Sequence, residues 1–239
     1  MRRTAKLVAV LRTSSYRAAF LRHRVAAAVE HEAAFSELYF RTIIDVGANR
    51  GQFSLFAIRS FPRARIIAFE PLATPAERYR AVFAGDDRIR LFRAALGSES
   101  GQAVMHVAGH DDASSLLPIT ARQKALFRGT GEVRTETVRV GRLSDFIDAL
   151  DIEPPAVLKL DVQGYELEVL RGCEDLLSRF AYIYAEASFV ELYEGQTLAD
   201  ELIAWLRARG YALSGVYGSD LSREGVQADM LFRRVTGGS

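Results

Sequence analysis

Cysteine is almost missing: Cys173 is the one thiol in 239 residues. It cannot close an intrachain disulfide or build a cysteine-rich zinc site, and it fits a reducing, cytoplasmic setting. No apolar run approaches the roughly 18 residues needed to cross a bilayer, so no transmembrane segment is predicted. Neither charge sign is in excess. The balance of 31 Lys+Arg against 30 Asp+Glu leaves a net charge of +1, which argues against a dedicated nucleic-acid binder. No internal repeat or low-complexity linker appears, so one folded domain is expected after an N-terminal extension.

That extension, residues 1–40, carries charge of one sign at its start. Arg2, Arg3, Lys6, Arg12, Arg17, Arg22 and Arg24 occur in the first 24 residues with no acid among them. The apolar run Leu7 to Leu11 is too short for a signal-peptide core, and Arg12 ends it. Leu7, Val10, Leu11, Phe20, Leu21 and Val25 recur at near-helical spacing. This pattern predicts one or two amphipathic helices capping the domain. The alternative is contact with an anionic surface, such as the inner face of a membrane.

What is present from residue 41 to 239 is an alternation of strand-like and helical patterns, the signature of βαβ units in an α/β fold. "TIIDVG", "RIIAFEP", "RIRLFRAAL", "AVLKLDVQGYE" and "AYIYAEAS" read as sheet strands. Helices are expected over 52–59, "PAERYRAVFAG", "RLSDFIDAL", "LEVLRGCEDLLSRF" and "TLADELIAWLRARG". The stretch from "GSESGQAVMHVAG" to "ETVRV" predicts extra strands around the loop "GHDDASSLLPIT", a candidate wall for a site. "YALSGVYG" and "QADMLFRRV" close the chain as two strands.

The turn "DVGANRG" opens the first βα unit, where open α/β sheets bind ligands. Gly47 and Gly51 suggest close approach of backbone to a ligand. The three-glycine fingerprint of a dinucleotide site is absent, because Asn49 stands where its second glycine would be. Asp45 would repel a pyrophosphate and suit a cationic or amine-bearing ligand. Glu70, at the tip of the second strand, stands where such folds grip a ribose diol. Ribose without phosphates, joined to a positive centre, describes S-adenosylmethionine.

The segments "IDVGANRGQFSL", "AFEP", "RAALGSESG", "SSL" and "LKLDVQGYELEVLRG" together resemble the FkbM family of S-adenosylmethionine-dependent methyltransferases, over about Thr42 to Arg234. The resemblance implies a class I methyltransferase (Rossmann-like) fold, with seven strands, mostly parallel, and helices on both faces. It also implies O-methylation of a sugar, glycolipid, polysaccharide or glycosylated natural product. By the same resemblance Asp45, Gly47, Ala48, Asn49 and Gly51 line the methionine side, and Glu70 with Pro71 takes the ribose. Ala94 and Ala95 border the adenine, while Ser114 and Ser115 lie in a closing loop. The family usually carries Glu where this chain has Gln163.

A sugar hydroxyl is a poor nucleophile and calls for a positioned base. Asp161 is the first candidate, bordering the cofactor as well, with Glu186 and His110 in reserve. A divalent metal on Asp111, Asp112 or Asp161 is an alternative that no ligand spacing supports. Glu166 reads as a helix N-terminal stabiliser and Lys159 as half of a structural ion pair. Phe189 and Tyr193 could floor an acceptor pocket. The rival readings are an NAD-dependent oxidoreductase and a non-catalytic glycan- or membrane-associated module on the same fold.

Overall fold

The computed structural model describes residue 8, residues 10–218 and residues 225–235. Arg2, Arg3, Lys6 and Leu7 of the basic stretch lie outside the described residues. The strands are β1 (Thr42–Val46), β2 (Arg65–Phe69), β3 (Ile89–Phe92), β4 (Ala95–Leu96), β5 (Gly101–Ala108), β6 (Glu132–Gly141), β7 (Ala156–Leu160), β8 (Tyr182–Ser188), β9 (Tyr211–Tyr217) and β10 (Gln227–Arg234). The helices are α1 (Ser14–His23), α2 (Glu32–Phe35), α3 (Gln52–Ser60), α4 (Ala73–Val82), α5 (Ala121–Leu126), α6 (Glu166–Gly172) and α7 (Ala199–Ala208).

Seven strands form one sheet in the order β3-β2-β1-β7-β8-β10-β9, in which β10 runs antiparallel to both of its neighbours. This is the class I methyltransferase arrangement. Its central strands are buried on both faces, as parallel strands with helices on either side must be. Side chains alternate accordingly. Ile43, Ile66 and Val157 pack with Phe35, Phe40, Phe53 and Phe56, whereas Ile44, Ile67 and Leu158 pack with Leu167, Leu170, Leu202 and Leu206. Each such fully buried aliphatic side chain contributes roughly 1.5–3 kcal/mol relative to exposure.

A second sheet, β4-β6-β5, accounts for the extra strands expected before residue 141. The third predicted strand is split by it. Pairing with β2 ends at Phe92, and the chain crosses at Arg93 and Ala94 to pair Ala95 and Leu96 with β6. The expected helix in "RLSDFIDAL" is instead two 3-10 turns, Leu143–Asp145 and Ala149–Asp151. Side chains of Asp145 and Asp151 accept from the backbone N–H groups of Arg142 and Asp148, which favours short capped turns over a continuous helix. Helix α6 stops at Gly172, whose missing Cβ leaves room for the Gly97 carbonyl: a Cβ there would lie 2.0 Å from that oxygen.

Helix α1 buries Tyr16 and Ala19, while Leu11, Phe20 and Leu21 face solvent beside Arg12, Arg17 and Arg22. The chain then runs through buried Val25, Ala27, Ala28 and Val29 to the sheet, so the extension packs on the domain. Among the described residues no helix is long and apolar enough to cross a membrane.

Candidate active site

The carboxyl ends of β1, β2 and β7 meet at a cavity of about 260 Å³. Its floor is the β1 turn, from Val46 to Asn49, with Lys159, Asp161, Val162 and Gln163 of the β7 exit. One end is walled by Phe69, Glu70 and Pro71 of β2 and by Ala94, Ala95, Leu96 and Met105. The other is walled by Gln52 and Phe53 of α3 and by Ala28, Glu30 and His31, which precede β1. Asp112, Ser114, Leu116 and Tyr165 complete the enclosure.

Glu70 is buried at the β2 tip, where its Oε2 accepts from Asn49 N–H and its Oε1 from Leu72 N–H, both at 2.8 Å. Asn49 reaches that position with φ +47, a left-handed conformation that asparagine tolerates. Burial pushes the Glu70 carboxyl up to about 7 against those two N–H groups. Each oxygen keeps a lone pair for a further donor from the cavity.

Asp45 does not line the cavity. It is wholly buried on the α3 face of β1, where the register sets it directly beside Lys159 of β7. Lys159 Nζ lies 3.0 Å from Asp45 Oδ1 and 3.7 Å from Asp161 Oδ2. The other Asp45 oxygen accepts from Ser54 Oγ at 2.7 Å. Burial lowers the Lys159 ammonium, but Asp45 and Asp161 outweigh it and leave the group raised and charged. The charge that the sequence pattern directs at a ligand is therefore matched within the protein.

The two turn glycines also serve the protein's own packing. A Cβ at Gly47, where φ is +73, would meet the Asp161 carbonyl oxygen at 1.8 Å. At Gly51 it would meet the Phe83 ring at 2.5 Å. At Gly51 protein atoms fill the space that the sequence reading gave to a ligand, whereas Gly47 also lines the cavity.

Asp161 stands at the β7 exit with its carboxylate on the cavity. Gln163 follows in a left-handed conformation, φ +56, at the head of the sharp turn. Its Nε2 donates to Asp161 Oδ1 at 2.7 Å and to Glu186 Oε2 at 2.9 Å, and its Oε1 accepts from Tyr193 Oη at 2.9 Å. Ser115 Oγ donates to its carbonyl at 2.7 Å. A non-glycine residue in this conformation persists only where its surroundings over-determine it. Here the amide bridges the two acidic side chains, donating one hydrogen to each. Glu186 lies behind the cavity wall, and burial with the Asp161 charge holds its carboxyl well above the usual range. Glu166 Oε1 accepts from Val162 N–H and Gly164 N–H, which ties down the same turn.

The remaining sequence candidates divide. Ala48, Asn49, Pro71, Ala94, Ala95 and Ser114 line the cavity; Gly51 and Ser115 do not. His110 is solvent-exposed and packs against Gly129, away from the cavity. Asp111 binds Arg50 of the β1 turn at 2.5 Å, so that aspartate clamps the loop to the turn. Tyr193 is core beneath Gln163, and Phe189 is exposed. Among the described residues no group of three or more His, Cys, Asp or Glu side chains is placed to hold a metal ion. Sequence reasoning missed Ala28, Glu30, His31, Gln52, Met105 and Tyr165. Gln52 alone carried a signal, as the residue after the turn's last glycine.

A family model of the "Methyltransferase FkbM domain" matches residues 45–213, more than half of the chain. The chain belongs to the FkbM methyltransferase family. It is 31% identical over 165 residues to "2-O-methyltransferase NoeI" of Sinorhizobium fredii, covering 64% of this chain and 66% of that protein. It is 32% identical over 199 residues to "31-O-demethyl-FK506 methyltransferase FkbM" of Streptomyces tacrolimicus, covering 72% of each. "Hexuronic acid methyltransferase AglP" of Haloferax volcanii is 28% identical over 149 residues, covering 59% of this chain and 54% of that protein. A methyltransferase family on this fold implies S-adenosylmethionine as cofactor. The cavity fits it: an apolar slot of Ala94, Ala95, Leu96 and Met105 for a base, and a buried carboxylate with spare lone pairs for a diol. Ala28, Glu30 and His31 fall before the matched domain, yet they wall the same cavity.

Proposed function

We propose that the protein is an S-adenosylmethionine-dependent O-methyltransferase acting on a hydroxyl of a carbohydrate or glycosylated metabolite. The observation that carries this reading is one cavity holding Glu70 and Asp161 on opposite sides of the β1 turn. Glu70 takes the ribose hydroxyls, Ala94 and Ala95 border the adenine, and the turn from Gly47 to Asn49 supports the methionine end. The printed activities of NoeI, FkbM and AglP favour oxygen and sugar chemistry for the acceptor.

The cofactor supplies an electrophilic methyl group on a sulfonium. The chain supplies alignment, a low-water enclosure and a proton acceptor. Asp161 would take the proton of the acceptor hydroxyl that the cofactor's methyl group would alkylate. Gln163 holds that carboxylate in place through Nε2. Exposed Leu11, Phe20 and Leu21 beside three arginines support an additional contact with an anionic membrane surface.

Mass spectrometry of glycolipids and polysaccharides from cells with and without the protein tests the reading. A product heavier by one methylene, carrying label from methyl-labelled cofactor, is expected. Unchanged glycans, together with binding of NAD to the purified protein, would overturn it.

A proton signature is expected on binding. Burial raises Glu70, Glu166 and Asp229 to about 7, from ordinary values of 4.5 for glutamate and 3.8 for aspartate. These three carboxyls hold protons more tightly when folded, so their stabilising contribution is complete below about pH 4 and is lost as pH rises through 7. Ribose hydroxyls donating to Glu70 favour its ionised form. S-adenosylhomocysteine binding at pH 7 should therefore release up to about half a proton. Calorimetry in two buffers of different ionisation enthalpy reads this, and equal heats in both would count against a diol on Glu70.

A further inference from the structure

We propose that His31 selects the acceptor: its Nε2 receives a second hydroxyl of a polyhydroxylated acceptor, beside the hydroxyl that Asp161 faces. The inference rests on the O-methyltransferase reading above. It adds a residue from outside the family domain, which is matched over residues 45–213.

Sheet order sets the side of the cavity on which His31 acts. Glu70 ends β2 and the adenine wall follows β3, at one edge of the order β3-β2-β1-β7-β8-β10-β9, while Asp161 follows β7. His31 is anchored beyond β7. Its Nδ1 lies 2.9 Å from Tyr184 Oη of β8 and 3.8 Å from Asp229 Oδ2 of β10. Phe53 and Tyr184 hold the ring edge-on, with centroids 5.4 and 5.5 Å away. The ring lines the cavity with 14% of its side chain exposed, and Asp161 lines the same cavity with 42% exposed.

The network also sets which ring nitrogen carries the hydrogen. Burial holds the Tyr184 phenol well above its usual range, so it keeps its single hydrogen, and Asp229 is a hydrogen-bond partner of that hydroxyl. With the hydrogen given to the Asp229 carboxylate, Oη accepts from His31 Nδ1–H and the ring lone pair is left on Nε2. Burial lowers the imidazole to about 4, so at neutral pH Nε2 stays an acceptor. Among the described residues Nε2 has no hydrogen-bond partner, and it is not sealed off as the orphaned Asp45 and Gln123 oxygens are. The other charges acting on the ring are Glu30, Lys159, Asp161 and Asp45, and the one ammonium among them is committed to Asp45. A bare nitrogen and a carboxylate in one cavity call for two donors. A lone hydroxyl satisfies one of them; neighbouring hydroxyls of a sugar satisfy both.

Two measurements on the full chain test this. In the S-adenosylhomocysteine complex at pH 8, nitrogen-15 NMR should show His31 as the neutral Nδ1–H form, its signal assigned by loss in His31→Gln. Tyr184→Phe should abolish that preference. The second measurement uses the glycan that takes up label in the mass-spectrometric experiment, and the same sugar with the neighbouring hydroxyl removed. His31→Leu should raise KM for the intact sugar about tenfold, the worth of one hydrogen bond. Turnover at saturation and S-adenosylhomocysteine affinity should change little, and His31→Gln, whose amide reaches the depth of Nε2, should restore most of the loss. Removing the hydroxyl should cost wild type the same factor, and the deoxy sugar should not distinguish wild type from His31→Leu. An Nε2–H ring, or an unchanged KM in His31→Leu, overturns the proposal. So does weakened S-adenosylhomocysteine binding in a folded His31→Leu, which would put the residue on the cofactor side. Should His31→Leu not fold, the two sugars with wild type decide: equal KM values overturn the proposal. If S-adenosylhomocysteine binds but no glycan takes label, the acceptor reading itself falls, and this inference with it.

Discussion

Replacing Lys159 with methionine should cost about 3–5 kcal/mol of stability, the loss typical of a buried ion pair stripped of one partner. Lys159 is 3% exposed and Asp45 is fully buried, so water cannot take over the missing charge. Asp45 would keep the Ser54 hydroxyl, which itself accepts from Tyr79, and no cation. Urea unfolding at neutral pH measures the loss. Adding Asp45→Asn to Lys159→Met should recover much of the loss, because no unpaired charge remains buried. A Lys159→Met variant as stable as wild type would show that the pair contributes nothing the core could not supply.

Asp161→Asn should lower turnover by about 10²–10⁴, the usual contribution of a general base, with S-adenosylhomocysteine affinity changed little. The reason for that split is geometric. The Gln163 amide can still donate to the new side-chain oxygen, so the β7 exit keeps its shape while proton-accepting capacity is lost. Single-turnover transfer of labelled methyl to the acceptor found by mass spectrometry separates binding from chemistry. If turnover survives, Asp161 is not the base. Glu186, on the other hydrogen of the same amide, then becomes the group to replace.

The sheet was legible because its strands are short, β-branched and punctuated by glycine and proline, and because each βα turn carries its own chemistry. Glu70 and Asp161 were legible for the same reason: both are acids at strand tips, and both line the cavity. Asp45 misled. Sequence spacing places an acid at the turn but does not reveal that Lys159, 114 positions along, sits beside it in strand register. The local pattern likewise gave no sign that Gly47 makes room for the Asp161 carbonyl, a contact set by tertiary packing. His110 looked reactive because it lies in a polar loop, yet that loop turns its Asp112 and Ser114 inward and leaves the histidine outside. The wall formed by residues 28–31 has no motif at all. It is defined by where the chain happens to pass before entering β1.

The tight seating of Gly47 on the Asp161 carbonyl carries an evolutionary corollary. Two neighbouring strand ends that interlock so closely tolerate little substitution, so this part of the pocket floor is mechanically frozen. Room for change is left to the walls, among them the loop that delivers Asp112 and Ser114.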